Sequence, residues 1–105
     1  MPEYLKVEVY IPEEYVPPLR SALDREGFLR EGHYACVMAL MYVTGTWMPL
    51  EGASPYDGEI GKLSAAPEIK VEFRCRTEDR PEVEQIIRMV HPYEVPVINF
   101  IPLAE

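Results

Sequence analysis

An α+β fold of two consecutive β-α-β halves, with four antiparallel strands under two helices, is what this 105-residue sequence predicts. Three observations predict it. Residues 4–11 and 68–76 alternate apolar and polar, the period of a half-buried strand. Residues 16–23 and 83–90 carry apolar side chains at helical spacing, and each of these stretches follows one of the alternating ones. Finally, only one core fits a chain of this length, so all the elements must share it as a single domain over residues 1–105.

In chain order, Leu5, Val7, Val9 and Ile11 point one way in the first strand, Tyr4–Ile11, and Tyr4, Lys6, Glu8 and Tyr10 the other. Val16, Leu19, Ala22 and Leu23 then form a helical stripe that begins around Pro17 and Pro18, where missing amide donors cost least, and stops near Glu26 because Gly27 follows. Tyr34–Val43 is apolar on both sides, which fits a buried strand between Gly32 and a turn at Thr44-Gly45-Thr46. The third strand has Ile69, Val71, Phe73 and Cys75 on its dry side and Glu68, Lys70, Glu72, Arg74 and Arg76 on its wet side. Asp79 as N-cap and Pro81 in the first turn open a second helix carrying Val83, Ile86, Ile87 and Val90, which His91-Pro92 ends. Val95–Leu103 is the last strand, and Pro96 and Pro102 send it to a sheet edge. With right-handed crossovers this order gives a ferredoxin-like split βαβ sheet with both helices on one face, the other face partly open, and a long loop between strands two and three.

Composition excludes several classes of function. A net charge of −8 with no basic stripe argues against nucleic acid, and the longest apolar run, Ala35–Val43, is too short to span a bilayer. With no secretory signal at the start, a cytoplasmic location is expected. Cys36 and Cys75 match no disulfide framework or zinc spacing and are expected as free thiols. A symmetric loop would nonetheless set them opposite each other on paired strands. A domain this small gains from association, so a homo-oligomer is expected.

The segment Thr44–Pro67 is far longer than two strands need, and its glycines and prolines suit an ordered excursion. Trp47, Glu51, Tyr56, Glu59 and Lys62 would be held there as ligand-binding or interface residues, joined by Tyr93. His91 and Glu94 close the second helix; they serve as its C-terminal cap or, with ligands from another subunit, as a site for a divalent metal ion. No nucleophile-base pair with an oxyanion hole is apparent, which argues against an enzyme.

Two strings, TGTWMPLEGASPYDGEIGKL over residues 44–63 and HPYEVPVINFIPL over residues 91–103, resemble signatures of the insert domain of the Nif-three-like (YqfO) family. That insert is similar to CutA and PII-type modules and sits within larger two-metal proteins whose metal ligands lie outside it. The resemblance implies the same ferredoxin-like fold here without the two-metal chemistry, since only His33 and His91 are present. Met48, Val95 and Val37 stand where the family tends to place Arg, Glu and Cys, which makes the region poorer in charge. The expectation is a non-enzymatic, self-associating binding or regulatory module that recognises a small ligand or metal ion at a subunit interface. An accessory protein-protein interaction domain is the alternative, with a metal-dependent hydrolase assembled only in an oligomer ranked last.

Overall fold

The computed structural model describes residues 2–104. Its strands are β1 (Tyr4–Ile11), β2 (Ala39–Trp47), β3 (Ser64–Arg76) and β4 (Ile98–Pro102); its helices are α1 (Val16–Arg25) and α2 (Arg80–Val90). All pairings are antiparallel in the order β2-β3-β1-β4, so the sheet is the ferredoxin-like one, with β4 at an edge as its prolines require.

The core lies between one sheet face and the helices. Val7, Val9 and Ile11 of β1 and Ile69 and Val71 of β3 meet Leu19 and Leu23 of α1 and Val83 and Ile87 of α2, all essentially without solvent contact. At about 1.5–3 kcal/mol per fully buried aliphatic side chain, this layer is the main source of stability. Helix α1 ends in a Schellman motif: Gly27 adopts φ +82°, its amide donates to the Asp24 carbonyl, and the Phe28 amide donates to the Leu23 carbonyl. A residue with a Cβ would be strained at that φ, which is why the helix stops there.

Several local expectations need correction. The second strand starts at Ala39 and runs to Trp47, so Thr44, Gly45 and Thr46 are ladder residues paired with Pro67, Ala66 and Ala65 instead of a turn. The loop proper is therefore only residues 48–63. Nor is this strand buried: Leu40, Met41 and Tyr42 are exposed, Tyr42 by 76%. Extending the register three residues beyond Ala39–Glu72 would set Cys36 opposite Cys75, but the ladder ends first. The Cys36 amide instead donates to Asp24 Oδ1, which Arg30 also pairs. Cys36 is exposed and Cys75 lies in the core, both unpaired, and burial pushes the Cys75 thiol up to about 11. Finally, Asp79 occupies the N-cap position of α2 without a capping side-chain bond, the chain entering through a 3₁₀ turn at Thr77–Asp79.

The last strand is also shorter than expected, leaving residues 91–97 as an irregular segment. β3 outruns β1, which it leaves at Ile69, and continues with β2 alone to Ser64. The two strands so form a hairpin arm beyond β1.

Candidate functional site

Beside the point where β3 leaves β1, three segments converge on a cleft of about 570 Å³. The β2–β3 arm contributes Trp47 and Glu68, the loop contributes Pro49, Pro55, Tyr56 and Asp57, and the segment after α2 contributes Tyr93, Glu94, Val95 and Val97. Tyr10 and Asn99 on the open face, with Thr46 and Ala53, complete the lining. Cavities of several hundred Å³ with apolar walls and a few polar groups are the usual form of a small-molecule site.

The walls are held from behind. The Trp47 indole N–H donates to the Asp57 carbonyl at 3.0 Å, fixing the loop across the arm. Gly58 has φ +104°, and a Cβ there would come within 2.7 Å of Ser64 Oγ and 3.0 Å of Trp47 Nε1, so only glycine fits under the indole. Tyr56 stands 5.8 Å from Tyr93 and edge-on to Tyr15 at 6.2 Å, and Trp47 lies 6.3 Å from Tyr93, all within the range of favourable ring contacts. Glu94 Oε1 accepts the Ser54 amide at 3.0 Å, tying the loop to the segment after α2.

Glu68 is the least expected member. Its side chain is on the open face, and it crosses over Gly45, where any Cβ would collide with the carboxylate. Only 7% exposed, it lies beside Tyr93; burial first, then the Glu68 charge, push that phenol far above its ordinary value.

His91 is buried beneath Tyr93, with ring centroids 4.8 Å apart. Its Nδ1 accepts the Tyr93 amide at 3.2 Å, which makes Nε2 the protonated nitrogen, and that N–H donates to the Tyr10 carbonyl at 2.6 Å. Burial holds its pKa below 6.5, partly offset by the bond to Tyr10. The ring is thus a neutral brace between the end of α2 and β1.

Of the residues singled out in the sequence, Trp47, Tyr56, Tyr93 and Glu94 come together in the cleft and His91 supports it. Glu51, Glu59 and Lys62 do not join them: Glu59 and Lys62 pair with each other at 2.7 Å on the exposed loop, and Glu51 is exposed in a turn. Sequence reasoning missed Glu68, Asp57, Tyr10 and Asn99. The one signal for Glu68 is a glycine in a strand, which marks a close approach by another group. Among the described residues no three His, Cys, Asp or Glu side chains come together as metal ligands, both His91 nitrogens are engaged, and Glu94 is turned to Ser54. The donor set within one chain does not fit a divalent ion.

Comparison with known proteins places this geometry among relatives. Residues 25–105 match the family model described as CutA1 divalent ion tolerance protein. A Staphylococcus aureus protein named GTP cyclohydrolase 1 type 2 homolog is 34% identical over 102 residues, which cover 97% of this chain and 28% of that protein. A Staphylococcus epidermidis protein of the same name is 32% identical over 95% of the chain and 27% of its own length, so the chain spans about a quarter of these curated relatives. The solved structure of a Bacillus cereus protein related to NIF3 superposes with TM-score 0.83 at 27% identity, covering 99% of this chain and 26% of that one. The periplasmic divalent cation tolerance protein CutA of Archaeoglobus fulgidus shares the fold, with TM-score 0.74 at 18% identity over 97% of this chain and 85% of that one.

Proposed function

The chain belongs to the CutA1 divalent ion tolerance protein family, and from that premise we propose that it is a self-associating, non-enzymatic binding module that holds a small ligand in the cleft walled by Trp47, Tyr56 and Tyr93. The observation that carries the reading is the cleft: three aromatic rings from three separate segments, each braced from behind, around about 570 Å³. A surface built only for packing against solvent has no need of a glycine fitted under an indole.

Self-association is supported by β2. It is an edge strand with an open backbone and exposed Leu40, Met41 and Tyr42, an arrangement that invites another chain. Its first residues, Ala39 to Tyr42, are apolar on both sides, and in one chain alone all four are exposed. A second copy of this chain is the occupant the reading calls for, with the cleft close to the interface because Trp47 ends the same strand. A divalent ion would enter only if a second chain completed its ligands. A different protein docked on the β2 edge is the alternative that the same exposed residues support.

Light scattering over a concentration series, with melting curves across nucleotides, amines, carboxylates and divalent metal ions, tests the proposal. Expected are a mass above that of one chain and a melting shift from at least one organic compound. A monomer at all concentrations together with flat melting curves would overturn it.

A further inference from the structure

The charges around the cleft are all of one sign. Asp57, Glu68 and Glu94 line it, and among the described residues no Lys or Arg does. Most of the chain's cations are paired elsewhere: Lys6 and Lys70 on the open face, Arg30 to Asp24, Lys62 to Glu59, Arg74 to Glu31, Arg76 to Glu3, and Arg80 and Arg88 to Glu84. Glu68 is the decisive group, because it lines the cleft at only 7% exposure and, among the described residues, makes no ion pair. Burying a carboxylate without a counter-charge is costly, and a site that does so is at its most stable when a cation arrives. The rings beside it offer the complementary half: the faces of Trp and Tyr attract cations, most strongly when water is excluded.

Resting on the reading that this cleft holds a small ligand, we infer that the ligand is an organic cation, a substituted ammonium group seated against Trp47, Tyr56 and Tyr93 with the Glu68 carboxylate as its counter-charge. Phosphate-bearing and carboxylate ligands are repelled by Asp57, Glu68 and Glu94, and a net charge of −8 adds to that at long range. A bare metal ion is poorly served too, since among the described residues no three His, Cys, Asp or Glu side chains come close enough together to hold one. An alkylammonium group, weakly hydrated and apolar over most of its surface, suits both the walls and the charge.

Trp47 is the sole tryptophan, so its emission reports the cleft directly. The intact chain is titrated with choline, with its uncharged isostere 3,3-dimethyl-1-butanol, and with inorganic phosphate. Choline is expected to change the emission saturably, the alcohol to need about tenfold or more higher concentration, and phosphate to do nothing. Added salt should weaken the choline response. Glu68→Gln, with its fold verified by circular dichroism, should lower choline affinity about tenfold and leave the response to the alcohol unchanged. Tyr56→Ala, at an exposed position, should weaken choline several-fold and guards against a folding defect in the first variant. A response to the alcohol equal to that of choline, a response to phosphate alone, or an unchanged affinity in Glu68→Gln would overturn the cation while leaving a ligand-binding cleft. Silence toward all three probes, joined to flat melting curves across the wider panel, would overturn both.

Discussion

The two faces of the sheet are built from the same strands on opposite terms. On the helix side, Val7, Val9, Ile11 and Val71 are dry and belong to the one apolar cluster. On the open side, one residue along in each strand, Lys6, Glu8, Lys70 and Glu72 form a closed lattice of ion pairs at 3.0–3.4 Å, and a few residues further the pairing stops and the cleft begins. The dry face derives its stability from removed area, which any well-packed aliphatic set supplies. The open face commits its cations to the lattice and leaves the carboxylates of the cleft without them. The first face should thus control whether the chain folds, the second what it recognises.

The largest expected effect tests the dry face. Ile87→Ala or Leu23→Ala removes a side chain with no solvent contact and should cost about 2–5 kcal/mol in urea unfolding, through lost burial and the cavity left behind. Trp47 emission of the still-folded protein should stay unchanged, because neither residue touches the cleft. A loss below that range, or a shifted emission, would mean that the faces are not independent.

Next in size is Gly58→Ala, which places a Cβ at φ +104° under the indole. A cost of about 1–3 kcal/mol is expected. Unlike the core variants, this one should move the emission to longer wavelength, as the bond from Trp47 to the Asp57 carbonyl opens to water.

What the sequence could disclose follows the same division. β1, β3 and both helices were legible because burial on one side only imprints a period of 2 or 3.6, and apart from the start of β3 their bounds lie close to those expected. β2 was legible as a strand but not in its limits: an apolar run without alternation carries no register, and Tyr34 to Met38 fall outside the ladder although they look like its continuation. Thr44–Trp47 and Ser64–Pro67 read as loop because glycine and proline mark turns, yet ladder pairing overrides that local preference. In the cleft, Trp47, Tyr56 and Tyr93 stood out as large rings in segments without periodicity. Glu68 did not, because it is one of five polar residues alternating along β3, and only the register that lays it over Gly45 distinguishes it from Lys70 or Glu72.

A gentler effect comes from His91, which joins the two regions by bracing Tyr93 and bonding to β1. Its folded pKa lies below 6.5, because burial penalises the charged ring. The unfolded chain therefore binds a proton near 6.5 that the folded chain refuses until lower pH, so stability rises with pH in that window. The contribution is complete above about 6.5 and fades as pH falls toward the folded value. Urea midpoints should be level from pH 8 to 7 and decline from 6.5 to 5, and His91→Asn should remove that slope. A slope that survives would assign the proton to another group.

Smallest of all should be Glu72→Gln in the ionic lattice, and its size depends on what covers the open face. In one chain Lys6 and Lys70 are each shared between Glu8 and Glu72, so a neutralised Glu72 leaves both lysines with a partner in Glu8. Exposed pairs contribute little, and their contribution fades with salt. The melting temperature should thus fall slightly in dilute buffer and recover in 1 M sodium chloride. If a second copy lies against this face, water no longer screens the lattice, and an unbalanced charge there becomes expensive. The loss would then grow, persist in salt, and deepen on dilution as the assembly comes apart. Melting curves of the variant at two protein concentrations and two salt concentrations separate these cases, and a loss that is large, salt-resistant and dependent on dilution would move the open face from a solvated surface to part of the subunit contact.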